Sequence, residues 1–283
     1  MSTFSERLAA RVAAVGSSTC VGLDPHLERI PGIGADDGPE ARARVVETFC
    51  LSAIEAVADV VAAVKPQSAF FEVLGAPGVA ALQEVVAAAR RAGLFVVLDA
   101  KRGDIGSTAE AYARATLDDD GPMGADAVTL SPYLGPESLE PFERRMERGK
   151  GVFVLVRTSN PGAAPWQRQH GLAGAVAAWV AARPQGAGAV IGATLSASEA
   201  RHWRSTLPDS WLLVPGLGAQ GAGPEQLAPL LGASGRTLAT ASRSVLFGAP
   251  GSDPGAIRER ALAFRSAVAS ARALSAGPER PPS

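Results

Sequence analysis

Cysteine is scarce in this chain: Cys20 and Cys50 are the only two in 283 residues, with no C-x-x-C spacing. They read as reduced core thiols rather than a redox or metal motif. Histidine is equally sparse, and His26, His170 and His202 stand in unrelated contexts, so no His/Cys metal site is expected. Charge of one sign is lacking too. Lys and Arg total 27 against 28 Asp and Glu, a net charge of −1, which leaves no electrostatic case for a nucleic-acid or anionic-membrane partner. No apolar run approaches the roughly 18 residues of a membrane span. The first residues are no apolar leader either: Phe4, Leu8, Val12 and Val15 recur at helical spacing among Glu6, Arg7 and Arg11, which predicts an amphipathic helix instead of a signal peptide. A soluble, cytoplasmic protein is expected.

What remains is an apolar chain, 47% hydrophobic, whose patterning is regular. Short apolar runs are predicted as strands at Thr19 to Leu23, Val61 to Val64, Phe95 to Leu98, Ala127 to Leu130, Val152 to Val156, Ala189 to Ala193, Trp211 to Val214 and Thr237 to Ala241. Helical patterns lie between them, including Glu40 to Val60, Pro77 to Ala92, Ser107 to Leu117, Pro136 to Arg148, Trp166 to Ala182 and Ser196 to Thr206, with Pro254 to Ala276 after the last strand. Strands buried on both faces read as continuous apolar runs. Eight strand–helix units in roughly 250 residues is the arithmetic of a (β/α)8 TIM barrel, an α/β fold. A doubly wound open sheet is the alternative. No linker divides the chain, so residues 1–276 are expected to form one barrel domain. The G-P-E-R-P-P-S stretch, 277–283, is expected to be a disordered tail. The acidic triplet Asp118-Asp119-Asp120 reads as a solvated surface loop.

The chemistry concentrates at Phe95 to Thr108, F-V-V-L-D-A-K-R-G-D-I-G-S-T. A buried strand runs into Asp99 and Lys101, which share a face if the backbone stays extended. Gly103 and Gly106 mark a turn that holds Asp104, and Ser107 opens the next helix. Lys101 and Arg102 could simply pair with Asp99 and Asp104. The density of charge and glycine at the C-terminal end of a parallel strand points instead to an active site. A lysine held between carboxylates keeps its proton and suits a general acid.

A second cluster is Pro215 to Gly223, P-G-L-G-A-Q-G-A-G. Gly216, Gly218 and Gly221 satisfy G-x-G-x-x-G after a strand. A dinucleotide fold wants an acid about 20 residues on, and Thr237 to Arg243 contains none. In a barrel the loops after the seventh and eighth strands commonly hold a phosphate. Gln220 and Arg243 could then act as donors, although a glycine-rich turn with a surface arginine remains open.

The ordered segments V-G-L-D-P (21–25), K-P-Q-S-A-F-F-E (65–72), L-D-A-K-R-G-D-I-G-S-T (98–108), V-R-T-S-N-P-G-A (156–163), V-P-G-L-G-A-Q-G (214–221) and S-R (242–243) resemble the orotidine 5′-phosphate decarboxylase family. The similarity is to its bacterial, longer-chain type 2 branch. The resemblance implies cofactor-free and metal-free decarboxylation of orotidine 5′-phosphate (OMP) to UMP in pyrimidine biosynthesis. It implies a homodimer with shared sites, and a Lys65–Asp99–Lys101–Asp104 network in which Asp104 serves the partner's site. It further implies that Asp24 and Lys65 hold ribose hydroxyls, that Thr108 reaches the partner's ribose, that Ser159 meets the pyrimidine, and that Gln220 and Arg243 hold the phosphate. Lys101 would stabilise and protonate the C6 carbanion, with Asp99 close to the departing carboxylate.

Three other readings fit parts of the pattern. A barrel aldolase could use Lys65 or Lys101 as a Schiff base, but flanking carboxylates oppose the neutral amine it needs. A metal-dependent keto-sugar-phosphate decarboxylase or synthase shares the D-x-K-x-x-D core. A non-catalytic phosphate-ligand sensor would bind nucleotide without turnover.

Overall fold

The computed structural model describes residues 2–168, 171–217, 223–232, 234–249 and 251–276. Eight parallel strands close into a barrel in sequence order, the last pairing with the first. They are β1 (Thr19–Leu23), β2 (Ala63–Pro66), β3 (Phe95–Arg102), β4 (Ala127–Leu130), β5 (Gly151–Arg157), β6 (Ala187–Ile191), β7 (Leu212–Val214) and β8 (Thr237–Ala241). This is the (β/α)8 barrel expected from the patterning; the open sheet is excluded by the β1–β8 pairing.

The strands read as uniformly apolar because both of their faces are buried. Alternate residues divide between two cores. Cys20, Ala63, Phe95, Val97, Phe153, Trp211 and Leu238 fill the barrel interior. Val21, Val64, Val96, Leu98, Val154 and Leu212 face the surrounding helices. Both cysteines are buried and free, and burial pushes the Cys20 thiol up to about 12, so it stays protonated.

The outer layer contains α1 (Phe4–Val15), α2 (Pro39–Val57), α3 (Ala69–Glu72), α4 (Gly75–Arg91), α5 (Gly106–Leu117), α6 (Glu140–Met146), α7 (Ala163–Gln167), α8 (Leu172–Ala181), α9 (Ala197–Thr206), α10 (Pro224–Leu231), α11 (Arg243–Leu246) and α12 (Pro254–Ala276). The amphipathic first helix has a specific task. A capping box between Thr3 and Glu6 starts it, and its Phe4 and Leu8 join the interior core. Phe4 meets the rings of Phe95 and Phe153 edge-on at 5.6 Å, and Trp211 Nε1 donates to Ser5 Oγ at 3.1 Å. The helix therefore plugs the N-terminal end of the barrel. Gly151 makes room for it, since a methyl group there would lie 2.1 Å from the Phe4 ring.

Several expectations change; the helix predicted over Pro136 to Arg148 is a 3-10 turn at Pro136–Ser138 followed by α6. The Asp118–Asp120 loop is not simply solvated. Arg145 donates to Asp118 from both Nε and Nη2, and Lys150 Nζ to Asp119 Oδ1 at 2.8 Å; Arg145 and Lys150 are buried and need those carboxylates. The single helix predicted over Trp166 to Ala182 is two, α7 and α8. No helix among the described residues is long and apolar enough to cross a membrane.

Candidate active site

The chemistry-bearing side chains follow the C-terminal ends of their strands, so the closed barrel gathers them on one face. Lys65 on β2 and Asp99 on β3 are both buried. Lys65 Nζ donates to Asp99 Oδ2 at 2.6 Å, and Lys101 Nζ donates to Asp99 Oδ1 at 2.6 Å. One carboxylate thus bridges two ammonium groups. The bland expectation of Lys101–Asp99 and Arg102–Asp104 pairs is half met, because Arg102 turns to Glu72 instead.

The route by which Lys101 reaches Asp99 was not legible in the sequence. Strand β3 loses register with β4 between Leu98 and Arg102, and Lys101 has φ 46°, the only positive φ outside glycine among the described residues. The backbone is therefore not extended there, and the two side chains meet through a left-handed residue. Such strain costs about 1–3 kcal/mol and persists where the surroundings over-determine it. Here Thr129 on β4 supplies the restraint. Its hydroxyl donates to Asp99 Oδ1 at 2.8 Å and accepts the backbone N–H groups of Ala100 at 3.1 Å and Lys101 at 3.0 Å. A hydroxyl inside the apolar A-V-T-L strand was the one signal that could have pointed to it.

Electrostatics fix the protonation of the pair. Burial disfavours both charged forms. The charges of Asp99 and Asp24 outweigh it at Lys65, whose pKa is raised. Lys65 and Lys101 outweigh it at Asp99, whose pKa is held well below the usual carboxylate range. Ammonium and carboxylate are both ionised at neutral pH, which opposes Schiff-base chemistry at Lys65.

Asp24 follows β1, and its Oδ1 is buried without a hydrogen-bond partner among the described residues. Ser159 lies half-buried after β5, against Gly192. Its loop is held by residues that the sequence did not single out. Gln167 accepts the Thr158 N–H and donates to the Thr158 hydroxyl, both at 2.9 Å. Buried Arg157 donates to Glu199 Oε1 at 2.8 Å and to the Thr158 carbonyl. Arg243 is exposed at the end of β8, at the start of α11. Gln220, with Gly218 and Gly221, lies outside the described residues.

Asp104 and Thr108 stand apart. Asp104 Oδ1 accepts the Ile105 N–H at 2.8 Å, and among the described residues no hydrogen bond or ion pair joins it to Lys101. Thr108 is exposed in the first turn of α5. That turn is fixed from behind. Glu110 accepts from Arg144 at 2.7 Å and from Arg145 at 2.9 and 2.6 Å, and the Arg145 hydrogen bonds lower its pKa to about 2. No group of three or more His, Cys, Asp or Glu among the described residues is arranged to hold a metal ion.

Residues 17–250 match the family described as orotidine 5′-phosphate decarboxylase / HUMPS. A Rhodopirellula baltica protein named orotidine 5′-phosphate decarboxylase is 43% identical over 270 residues, covering 87% of this chain and 89% of that one. A Deinococcus radiodurans protein of the same name is 42% identical over 275 residues, covering 93% and 96%. The structure of Leishmania donovani OMP decarboxylase superposes with a TM-score of 0.77 at 35% identity, covering 95% of this chain and 99% of that one. The chain belongs to the orotidine 5′-phosphate decarboxylase / HUMPS family.

Proposed function

We propose that this chain decarboxylates orotidine 5′-phosphate to UMP and CO2, directly and without a cofactor, in the cytoplasmic synthesis of pyrimidine nucleotides. The observation that carries the reading is the single Asp99 carboxylate bridging Lys65 and Lys101 at the open end of β3. As the C6–carboxylate bond breaks, its electron pair stays on C6 and CO2 leaves. The Lys101 ammonium faces the developing negative charge and then donates its proton there. Asp99 holds that ammonium in place and, being anionic beside the substrate carboxylate, favours its departure. Lys65 and Asp24 take ribose hydroxyls, Ser159 the pyrimidine, and Gln220 with Arg243 the phosphate. Binding energy from the phosphate end positions the reacting end.

The site is completed by a second copy. Among the described residues Asp104 makes no hydrogen bond or ion pair to its own Lys101, and Thr108 is exposed. Ile105 next to Asp104, Tyr133 and Leu134 after β4, and Trp166 on α7 after β5 are exposed, and the Tyr133 and Trp166 rings lie 5.7 Å apart. An apolar rim of this kind marks an interaction surface. We assign it to a homodimer in which Asp104 of each chain approaches Lys101 of the other.

The test is the ultraviolet absorbance of OMP mixed with purified protein in excess EDTA, with the product identified. Conversion to UMP that EDTA leaves unchanged is the expected result. Absence of turnover by folded, dimeric protein, or turnover that EDTA abolishes, overturns the reading.

A further inference from the structure

Two buried oxygens at this end of the barrel have no hydrogen-bond partner among the described residues: Asp24 Oδ1 and Ser242 Oγ. A buried hydroxyl or carboxylate oxygen ordinarily has a partner, and an orphan calls for an explanation. These two belong to neighbouring strand ends. Asp24 directly follows β1, Ser242 directly follows β8, and β1 pairs with β8.

They also border the same small space. A methyl group built on Gly22 would lie 2.8 Å from Ser242 Cβ, 3.3 Å from Ser242 Oγ and 3.4 Å from Asp24 Oδ1. No side chain intrudes there because position 22 is glycine. The two oxygens face one gap without bonding to each other. Ser242 precedes α11 with φ −125° and ψ −82°, and its side chain makes no cap hydrogen bond to that helix.

The two groups are chemically complementary around a third. A carboxylate oxygen only accepts, whereas a serine hydroxyl donates and accepts. An alcohol placed between them donates its proton to Asp24 Oδ1 and accepts the proton of Ser242 Oγ. A phosphate oxygen could accept from Ser242 but would be repelled by Asp24. A ring or secondary-amide N–H carries a single hydrogen, so it could satisfy Asp24 but would leave Ser242 without a partner.

We infer that Ser242 is a further substrate-positioning residue, which donates a hydrogen bond to the sugar hydroxyl that Asp24 accepts from. The inference rests on the reading that Asp24 holds a ribose hydroxyl, and it assigns to Ser242 a role in choosing ribonucleotide ligands over deoxy analogues. Ser242 touches no reacting atom, so its effect falls on binding of the sugar.

The experiment measures dissociation constants of UMP, 2′-deoxy-UMP, 3′-deoxy-UMP and uridine for wild-type protein and for Ser242→Ala, Ser242→Cys and Asp24→Asn. Thermal melting establishes that each variant is folded. Loss of one neutral hydrogen bond weakens binding roughly three- to tenfold. Ser242→Ala and Ser242→Cys are expected to weaken UMP by that factor, and to leave unchanged the affinity of the one deoxy analogue that lacks the shared hydroxyl. The KM for OMP should rise with kcat held within about twofold. Asp24→Asn should lose discrimination against the same deoxy analogue. An equal penalty on UMP and both deoxy analogues that vanishes with uridine would make Ser242 a phosphate ligand and overturn the inference. So would unchanged UMP affinity in both Ser242 variants while Asp24→Asn loses discrimination. If Asp24→Asn keeps full discrimination, the reading of Asp24 fails, and the inference fails with it.

Discussion

Lys101, the proposed proton donor, adopts a backbone conformation that suits glycine, and its replacement should separate the two. For an L-residue the left-handed region costs about 1–2 kcal/mol. Lys101 sits there at φ 46°, held by the Thr129 hydroxyl. Lys101→Ala removes the ammonium and keeps the strain. Lys101→Gly removes both, at a cost of about 0.5–1 kcal/mol from glycine's extra freedom in the unfolded chain. The ion pair to Asp99 is lost equally in both, so it cancels in the comparison. Lys101→Gly should therefore be more stable than Lys101→Ala by about 0.5–1 kcal/mol, or roughly 1–3 °C in melting temperature. At Arg102, which does not share the positive φ, alanine should be the more stable of the two. Urea denaturation of the four variants measures the order. A Lys101→Ala protein as stable as Lys101→Gly, or more so, would refute the claim that strain is stored at this position.

The remaining predictions concern the charges around that residue. Asp99→Asn leaves the buried Lys65 ammonium facing a neutral amide and should destabilise the fold by about 3–5 kcal/mol. The depressed pKa of Asp99 and the raised pKa of Lys65 set the pH dependence. The gap in stability between wild type and Asp99→Asn should shrink as pH falls below about 4, the range in which an unfolded aspartate takes up its proton. A gap that widens below about pH 4 contradicts the pairing. Arg243→Ala should weaken UMP by at least about tenfold with little effect on uridine; titration calorimetry showing unchanged UMP affinity would remove Arg243 as the phosphate clamp. Mixing Asp99→Ala and Asp104→Ala chains should restore activity through hybrid dimers, each with one intact site. No recovery despite proven subunit exchange would place Asp104 outside the neighbour's site.

The legible parts of the structure were those set by short-range pattern. Thr19–Leu23, Ala127–Leu130 and Thr237–Ala241 are strands bounded as the apolar runs predict, and Pro254–Ala276 is the helix its periodicity predicts. Eight such runs fixed the barrel, and the barrel brought Lys65, Asp99 and Lys101 together across 34 and 2 positions of sequence. Features that depend on distant partners were not legible. The amphipathic α1 gave no sign that Phe4 would enter the barrel, because that requires the bare backbone of Gly151. The left-handed turn of Lys101 requires Thr129, 28 residues away. Asp118 and Asp119 looked solvated because their buried partners, Arg145 and Lys150, come later in the chain. Ser242 was visible only as the neighbour of Arg243; its orphaned hydroxyl is a property of the β1–β8 closure.

The central claim is that the Lys101 ammonium stabilises and protonates C6. Its most direct measurement is the rate of OMP conversion to UMP by Lys101→Ala beside wild type, with both shown folded and both binding UMP. General-acid catalysis and electrostatic stabilisation each contribute at least about 10²-fold, so a loss of roughly 10³-fold or more in kcat is predicted. A Lys101→Ala protein that keeps more than about a tenth of the wild-type rate would show that the proton comes from elsewhere.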